Sequence, residues 1–336
     1  MKRLRRFLVV FFSFMFTHSA SSYEWSKQGL MPTCNASVPI TDMHLAAHQG
    51  FHLDHASIML WASWLAERPR RNLIVQDLEA RGFKKIALFG PAYFGANAYL
   101  AETEDLRLLV FRGSQDIKEW TRNALFQQSE AMELGLPGKI HSGMLQHFKE
   151  LAPKILAELA DTTKPLMIAG HSLGGAMALL HGLILEEQGH EIAAIYLSGA
   201  PRVGDAEFYT YAEQIFSHRL YAIEMKHDLT PMIPPSKDAA TMFSQVIPEK
   251  HWFLRSKLEE VVDRLSYASA NWQTVKIDHH NLLPKRYGLQ GETDYWLRLQ
   301  SQLTTVSSVT ELWNALSSRF AEHAPEVYFC ELMKRR

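Results

Sequence analysis

The strongest constraint on the fold is the stretch 165–176, near the middle of the chain. Residues 166–169 form a short apolar run, which predicts a buried strand. Apolar residues recur at intervals of three and four over 176–188, which predicts an amphipathic helix. Gly-His-Ser-Leu-Gly lies between them at 170–174. A G-x-S-x-G sequence between a strand and a helix is typical of a nucleophile elbow, so Ser172 is predicted to be a nucleophile.

Further apolar runs alternate with helical patterns on both sides of this stretch. Strands are predicted at 84–89, 96–101, 106–111, 191–196 and 220–225. Helices are predicted at 55–66, 72–81, 144–159 and 206–216, with a kink or break at Pro153. This alternation predicts an α/β fold with a largely parallel central sheet and helices on both faces.

Composition excludes some functions and favours a single domain. The chain has 336 residues, and its formal net charge of −1 gives no indication of a nucleic-acid partner. No Cys/His group has zinc spacing, so we expect neither a metal nor an organic cofactor. Residues 23–336 are predicted to form one domain. The sequence makes no prediction of oligomeric state.

The N-terminus has the organisation of a targeting segment. A basic start is followed by a mostly apolar run at 7–16 and by small and polar residues at 17–22. This order predicts a secretory signal peptide over 1–22. The apolar run is shorter than the ~20 residues of a spanning helix, which disfavours the alternative of an uncleaved anchor. We therefore expect a secreted or periplasmic protein.

Export gives meaning to the two cysteines, Cys34 and Cys330. In an oxidising compartment, two cysteines with no other partner are expected to form one disulfide. The alternative is a pair of unpaired buried thiols.

A second motif follows the predicted strand 106–111. Gly113 ends the strand, and Ser114 then lies at the carboxyl end of the sheet, where α/β proteins bind ligands. Residues 115–124 form a short amphipathic pattern with Trp120 on its apolar face. This segment is a candidate lid that opens at a lipid surface, and its alternative is an ordinary surface helix.

A serine nucleophile on this fold needs an acid and then a histidine further along the chain. Asp228 follows a predicted strand in a proline-rich loop, whereas its competitor Asp205 precedes a helix and is better suited to cap it. The candidate bases are His251, His279 and His280. Residue patterns alone leave the choice between His279 and His280 open.

Taken together, these segments resemble the class 3 lipases. The resemblance runs from about residue 81 to 280 and rests on motifs that occur in the family's order. These are Phe-Arg-Gly-Ser at 111–114 with the segment after it, His-x-Gly at 141–143, the elbow at 170–176, Gly-Ala-Pro-Arg-Val-Gly-Asp at 199–205 and the Asp228 loop. The segment 250–275 departs from the family and is a candidate insertion.

The resemblance implies an α/β-hydrolase that cleaves lipid esters through Ser172, Asp228 and His279. His279 is favoured over the runner-up His280 because an aspartate precedes it, as in the family. Ser114 and the Leu173 N–H would form the oxyanion hole. The implied partner is a lipid ester, presented at a membrane or emulsion interface. Two alternatives stay open, an esterase for non-lipid esters and an inactive hydrolase fold that serves in binding.

Overall fold

A computed structural model describes residues 51–91, 96–114, 127–160, 164–238, 266–270, 273–278, 281–286 and 322–334, with isolated positions at 241, 252, 255, 256 and 259. The predicted signal peptide, Cys34, the candidate lid and most of the candidate insertion lie outside the described residues. The single-domain organisation of 23–336 therefore stays a prediction. Among the helices that the structure describes, none is long and apolar enough to cross a membrane.

Helices and strands alternate along the described part of the chain. The helices are α1 Leu53–Ala66, α2 Arg71–Glu79, α3 Ser142–Leu159, α4 Leu173–Glu187, α5 Ala206–Phe216 and α6 Pro325–Met333. The strands are β1 Lys84–Phe89, β2 Ala98–Glu102, β3 Arg107–Phe111, β4 Gln128–Glu130, β5 Lys139–His141, β6 Leu166–His171, β7 Ile192–Ser198, β8 Leu220–Met225, β9 Gln273–Asp278 and β10 Asn281–Arg286.

One mixed sheet organises these elements, with the strand order β1-β2-β3-β6-β7-β8-β9-β10. Strands β3, β6, β7, β8 and β9 pair in parallel. β1 and β2 at one edge and β10 at the other pair antiparallel with their neighbours. The prediction of an α/β-hydrolase fold with a largely parallel sheet is confirmed.

Helices cover both faces of the sheet. α3, α4 and α5 pack on one face, and α1, α2 and α6 pack on the other. Strand β6 is apolar throughout because its alternate side chains enter both layers: Leu166 and Ile168 face α4, whereas Met167 and Ala169 face α1.

The structure changes two details of the predicted elements. β6 continues to His171, which pairs with Ser198 of β7, and α4 begins at Leu173. Only Ser172 therefore separates strand from helix. α3 does not break at Pro153, because the helix is anchored on both sides of the proline by buried side chains such as Phe148 and Ile155. The remaining boundaries differ from prediction by a few residues.

Candidate active site

The elbow holds Ser172 in an unusual backbone conformation. Its φ of 56° and ψ of −130° lie in a region that residues with a Cβ rarely adopt. The Ser172 N–H donates to Ser198 O at 2.9 Å, which anchors the turn to β7. The strained turn at the carboxyl edge of the sheet gives Ser172 the backbone geometry of a nucleophile elbow.

Glycines are required at this turn because backbone passes within contact distance. A Cβ on Gly170 would lie 2.1 Å from Gly174 O. A Cβ on Gly174 would lie 2.2 Å from Phe111 O, in the strand next to β6. Both distances are far below van der Waals contact, and neither obstacle is a flexible side chain. The glycines of the motif thus allow α4 to start directly above β3 and β6.

The candidate oxyanion donors lie beside Ser172. Because β3 and β6 are neighbours, the residues that follow them meet at one edge: a Cβ on Gly113 would be 3.2 Å from the Ser172 Cβ. Ser114 comes next in the chain. Leu173 is the first residue of α4, and an N–H group at this position has no acceptor inside the helix. The two donors are thus carried by adjacent elements.

Asp228 follows β8 and is 1% exposed. Its Oδ2 accepts hydrogen bonds from His323 Nδ1 and from the Tyr328 hydroxyl, each at 2.6 Å, and its Oδ1 accepts from Thr230 N at 2.8 Å. Burial opposes ionisation of Asp228, but the imidazole of His323 and the other two donors outweigh it and hold the pKa below its usual value. The competitor Asp205 caps α5 by accepting from Phe208 N at 3.0 Å, as predicted.

The histidine on this carboxylate is His323, which sequence reasoning missed. His279 and His280 lie outside the described residues, as does His251, so their predicted roles have no structural account. Nδ1 of His323 points to Asp228, whereas its Nε2 is buried and has no hydrogen-bond partner among the residues that the structure describes. One ring nitrogen is thus oriented by a carboxylate, and the other carries no hydrogen bond within the described part of the chain.

His171 supports the ring of His323. The two imidazoles lie against each other with centroids 4.7 Å apart, and the Tyr328 ring meets His171 edge-on at 5.3 Å. Burial, together with the neighbouring His323, lowers the pKa of His171 to about 3. The His171 ring is therefore neutral at physiological pH and packs against His323 without adding a charge.

Arg202, from the 199–205 motif, holds the loop that carries Asp228. Its Nη1 donates to Met232 O at 3.0 Å and to Pro234 O at 2.9 Å, and its backbone N–H donates to Ile233 O at 2.8 Å. The arginine is 4% exposed, so these contacts form in a low-dielectric environment. The structure thus gives this motif a role in fixing the acid loop.

His141, from the His-x-Gly motif, caps α3. Its Nδ1 accepts from Gly143 N at 3.1 Å and from Met144 N at 3.4 Å. An accepting nitrogen must carry no proton, and burial lowers the pKa of His141 to about 4. The motif is therefore structural and does not contribute to the cluster around Ser172.

The signals for the missed residues were weak but present. His323 lies downstream of Asp228, as chain order requires, and immediately before the helix-starting pair Ala324-Pro325. Tyr328 follows within the same apolar helix pattern. Nothing local in the sequence connects this pair to Asp228, which lies 95 residues from His323.

The arrangement has the parts of a covalent ester hydrolase: a strained serine, neighbouring N–H and hydroxyl donors, and a histidine oriented by a buried carboxylate. Across the described ranges, no group of three or more His, Cys, Asp or Glu residues is placed to hold a metal ion.

The fold and the elbow define an α/β-hydrolase with a serine at its nucleophile position. Residues 108–238 match the family model described as Lipase (class 3). The chain is therefore similar to the class 3 lipases over about two fifths of its length.

Curated relatives show the same similarity. The chain is 30% identical to a lipase of Rhizomucor miehei over 165 residues, which cover 46% of this chain and 45% of the relative. It is 30% identical to the secreted mono- and diacylglycerol lipase 1 of Fusarium solani over 148 residues, 42% of this chain and 44% of that protein. The matched region thus spans less than half the length of these relatives.

Solved structures support the fold. The Rhizomucor miehei triacylglyceride lipase superimposes with a TM-score of 0.51 over 70% of this chain and 85% of its own, at 19% identity. At this identity the similarity establishes the shared fold alone.

Proposed function

We propose that this protein is a serine esterase that hydrolyses carboxylic ester bonds of lipids through an acyl-enzyme on Ser172. In this proposal Asp228 orients His323, His323 is the base, and Ser114 and the Leu173 N–H stabilise the oxyanion. His323 takes the role that the family resemblance assigned to His279, because it is the described histidine that contacts the buried acid.

The observation that carries the proposal is the Asp228–His323 contact beside a strained serine. A buried carboxylate 2.6 Å from Nδ1 fixes the tautomer that bears its proton on Nδ1. Nε2 is then an unprotonated acceptor for the Ser172 proton. A purely structural Asp–His pair would not require the neighbouring serine to hold a φ of 56°.

The acylation step follows from these positions. His323 Nε2 accepts the proton of Ser172 as Oγ attacks the ester carbonyl carbon, and the carbonyl π electrons move to oxygen. Asp228 stabilises the imidazolium that forms. The imidazolium then protonates the departing alkoxide oxygen, the C–O bond breaks, and an acyl-Ser172 ester and an alcohol result.

Deacylation repeats the sequence with water. His323 takes a proton from the attacking water, and a second tetrahedral intermediate forms. The bond between the acyl carbon and Ser172 Oγ then breaks, the imidazolium returns the proton to Oγ, and a fatty acid leaves. In both steps the negative oxygen lies near Ser114 and Leu173 at the start of α4, where the helix dipole adds positive potential. Loss of one such donor typically costs about 3 kcal/mol of transition-state stabilisation.

The lipid part of the proposal rests on relatives and on the sequence. The relatives include a mono- and diacylglycerol lipase, and residues 115–124 retain the pattern of an amphipathic lid. An apolar lid that opens at an interface predicts that turnover of long-chain substrate rises once the substrate exceeds its solubility.

Export completes the proposal. The predicted signal peptide over 1–22 and a Cys34–Cys330 disulfide both suit an oxidising compartment. In a loop this long, the disulfide would stabilise the fold by about 6 kcal/mol in the entropic model.

The decisive experiment compares three single variants in a long-chain acylglycerol assay and in labelling by a fluorophosphonate. Ser172→Ala and His323→Ala should each lower kcat by about 10⁴-fold, because removing one residue of a catalytic unit abolishes most of the activity of the whole unit. His279→Ala serves as the matched histidine control and should retain activity of the wild-type order.

Circular dichroism of each variant separates loss of activity from loss of fold. Full activity in Ser172→Ala would refute the nucleophile. If His279→Ala were inactive and His323→Ala active, the base would be His279, as the family resemblance implies. Best turnover of short soluble esters, without a rise at an interface, would contradict the lipid substrate.

A further inference from the structure

A buried carboxylate outside the triad contacts the oxyanion segment. Glu67 directly follows α1 and is 7% exposed. Its Oε1 accepts a hydrogen bond from the backbone N–H of Gly113 at 2.7 Å. Gly113 lies immediately before Ser114, so Glu67 is one peptide unit from a candidate oxyanion donor.

The sheet leaves this peptide without a strand partner. The pairing of β3 with both β2 and β6 ends at Phe111, and Arg112 N still donates to Asn97 O at 2.9 Å. At Gly113 the chain leaves the sheet, and the Glu67 side chain replaces the missing acceptor. A buried N–H without an acceptor would be costly, so Glu67 selects the orientation of this peptide.

The elbow also lies against Gly113. A Cβ on Gly113 would lie 2.9 Å from Glu67 Oε1, 3.0 Å from His171 O and 3.2 Å from the Ser172 Cβ. The carboxylate of Glu67 and the elbow thus both lie in contact with the backbone at Gly113. A shift of Gly113 toward or away from Glu67 changes the distance between Ser114 and Ser172.

We propose that Glu67 is a positioning residue, which holds the Gly113 peptide so that Ser114 faces the oxyanion formed at Ser172. This role rests on the proposed esterase function. Glu67 contacts no reacting atom, and its effect passes through the backbone of 113–114. It should therefore affect transition-state stabilisation more than substrate binding.

The test uses paired oxo- and thionoesters of the same short acyl chain. Sulfur is a weak hydrogen-bond acceptor, so a working oxyanion hole favours the oxoester, and the oxo/thiono ratio of kcat reports the alignment of the hole. Ser114→Ala should lower this ratio. Glu67→Ala should lower it too, with kcat on the oxoester reduced about tenfold or more and KM changed little.

Two conservative variants separate reach from charge. Glu67→Gln keeps an uncharged acceptor at the same reach, so it should keep most of the wild-type ratio, at the value that the wild type reaches when Glu67 is protonated. Glu67→Asp keeps the charge but is one methylene shorter, so it should lower the oxo/thiono ratio as much as Glu67→Ala does. This pair also decides the question if Glu67→Ala does not fold.

Glu102 provides a matched control at the opposite end of the sheet. It is also a buried glutamate, 5% exposed, and it binds Lys85, Arg107 and Lys164. Glu102→Ala should lower the free energy of unfolding and leave the oxo/thiono ratio unchanged. If Glu67→Ala behaves in the same way, Glu67 is only structural and the proposal is wrong.

A pH series gives a second readout. Burial raises the pKa of Glu67 to about 7, and the nearby carboxylate of Glu326 raises it further. The hydrogen bond from Gly113 and the positive charges of Arg112 and His323 lower this pKa but do not outweigh burial. A protonated carboxyl is a weaker acceptor, so the wild-type ratio should fall as pH drops from 8 to 6. The ratio compares two substrates on the same enzyme at each pH, so effects of pH that are common to both substrates cancel.

The pH series also has a matched comparison. In Glu67→Gln the ratio should be constant over this range, and a fall equal to that of the wild type would contradict the proposal. Failure of the proposed function looks different: wild-type protein would then show no turnover that depends on Ser172.

Discussion

Replacing Ser172 by glycine should stabilise this protein relative to replacement by alanine, which reverses the usual order. Ser172 has a φ of 56° and a ψ of −130°. Its side chain makes no capping hydrogen bond to α4, so both variants lose the hydroxyl without losing a cap. They differ in whether a Cβ remains in the strained conformation.

The magnitude follows from two opposing contributions. A residue with a Cβ in a sparsely populated backbone region costs about 1–3 kcal/mol, and alanine keeps this cost. Glycine removes it but loses about 0.5–1 kcal/mol more conformational entropy on folding. The free energy of unfolding of Ser172→Gly should therefore exceed that of Ser172→Ala by about 1 kcal/mol, and by at most about 2.5 kcal/mol.

Urea denaturation of the two inactive variants measures this difference at constant m-value. Ser198, a buried serine within β7, supplies the control: Ser198→Ala should be more stable than Ser198→Gly, the ordinary order in a strand. Equal stability of the two Ser172 variants, or greater stability of Ser172→Ala, would refute the argument that the nucleophile is held under strain.

Two further predictions concern buried polar groups. Tyr328→Phe removes a hydroxyl that donates to buried Asp228 at 2.6 Å. It should lower the free energy of unfolding by about 2 kcal/mol at pH 8, measured by urea denaturation, and raise the Asp228 pKa, measured by the loss of stability at acid pH. Unchanged stability would show that the bond is not formed in solution. His181, between Phe111 and Phe148, has its pKa lowered by burial to about 3. The unfolded chain therefore binds its proton first, and stability falls as pH drops below about 6.5, by about 2 kcal/mol at pH 5 from this residue. In His181→Leu the free energy of unfolding should fall by about 2 kcal/mol less between pH 7 and pH 5 than it does in the wild type. If both proteins lost the same amount, His181 would not be buried in its neutral form.

Local sequence patterns predicted the elements that form the site. The apolar runs at 166–169 and 220–225 became β6 and β8, and Asp205 caps α5 as expected. Parallel strands place their carboxyl ends at one edge of a sheet. Because Ser114, Ser172 and Asp228 each follow a predicted strand, the sequence predicted that all three lie at this edge. These predictions succeeded because each depends on periodicity or turn chemistry within a few residues.

The histidine that contacts Asp228 could not be predicted from local patterns. The favoured His279 followed a predicted β-branched run and an aspartate, both local features. His323 precedes α6, a helix that reaches Asp228 because it packs with α1 on one face of the sheet. No pattern near His323 encodes that docking.

The sequence by itself determined strands β1–β3 and β6–β8, the elbow turn and the position of Ser172, because strand and helix periods and the glycine requirement are properties of adjacent residues. Tertiary structure alone decided which groups surround that serine. Glu67 and His323 come from distant parts of the chain. Glu67 contacts Gly113 after β3, and His323 contacts Asp228 after β8, because α1 and α6 bury their apolar faces on the same layer. Side-chain contacts of this kind depend on packing between elements, which residue patterns along one strand or helix do not specify.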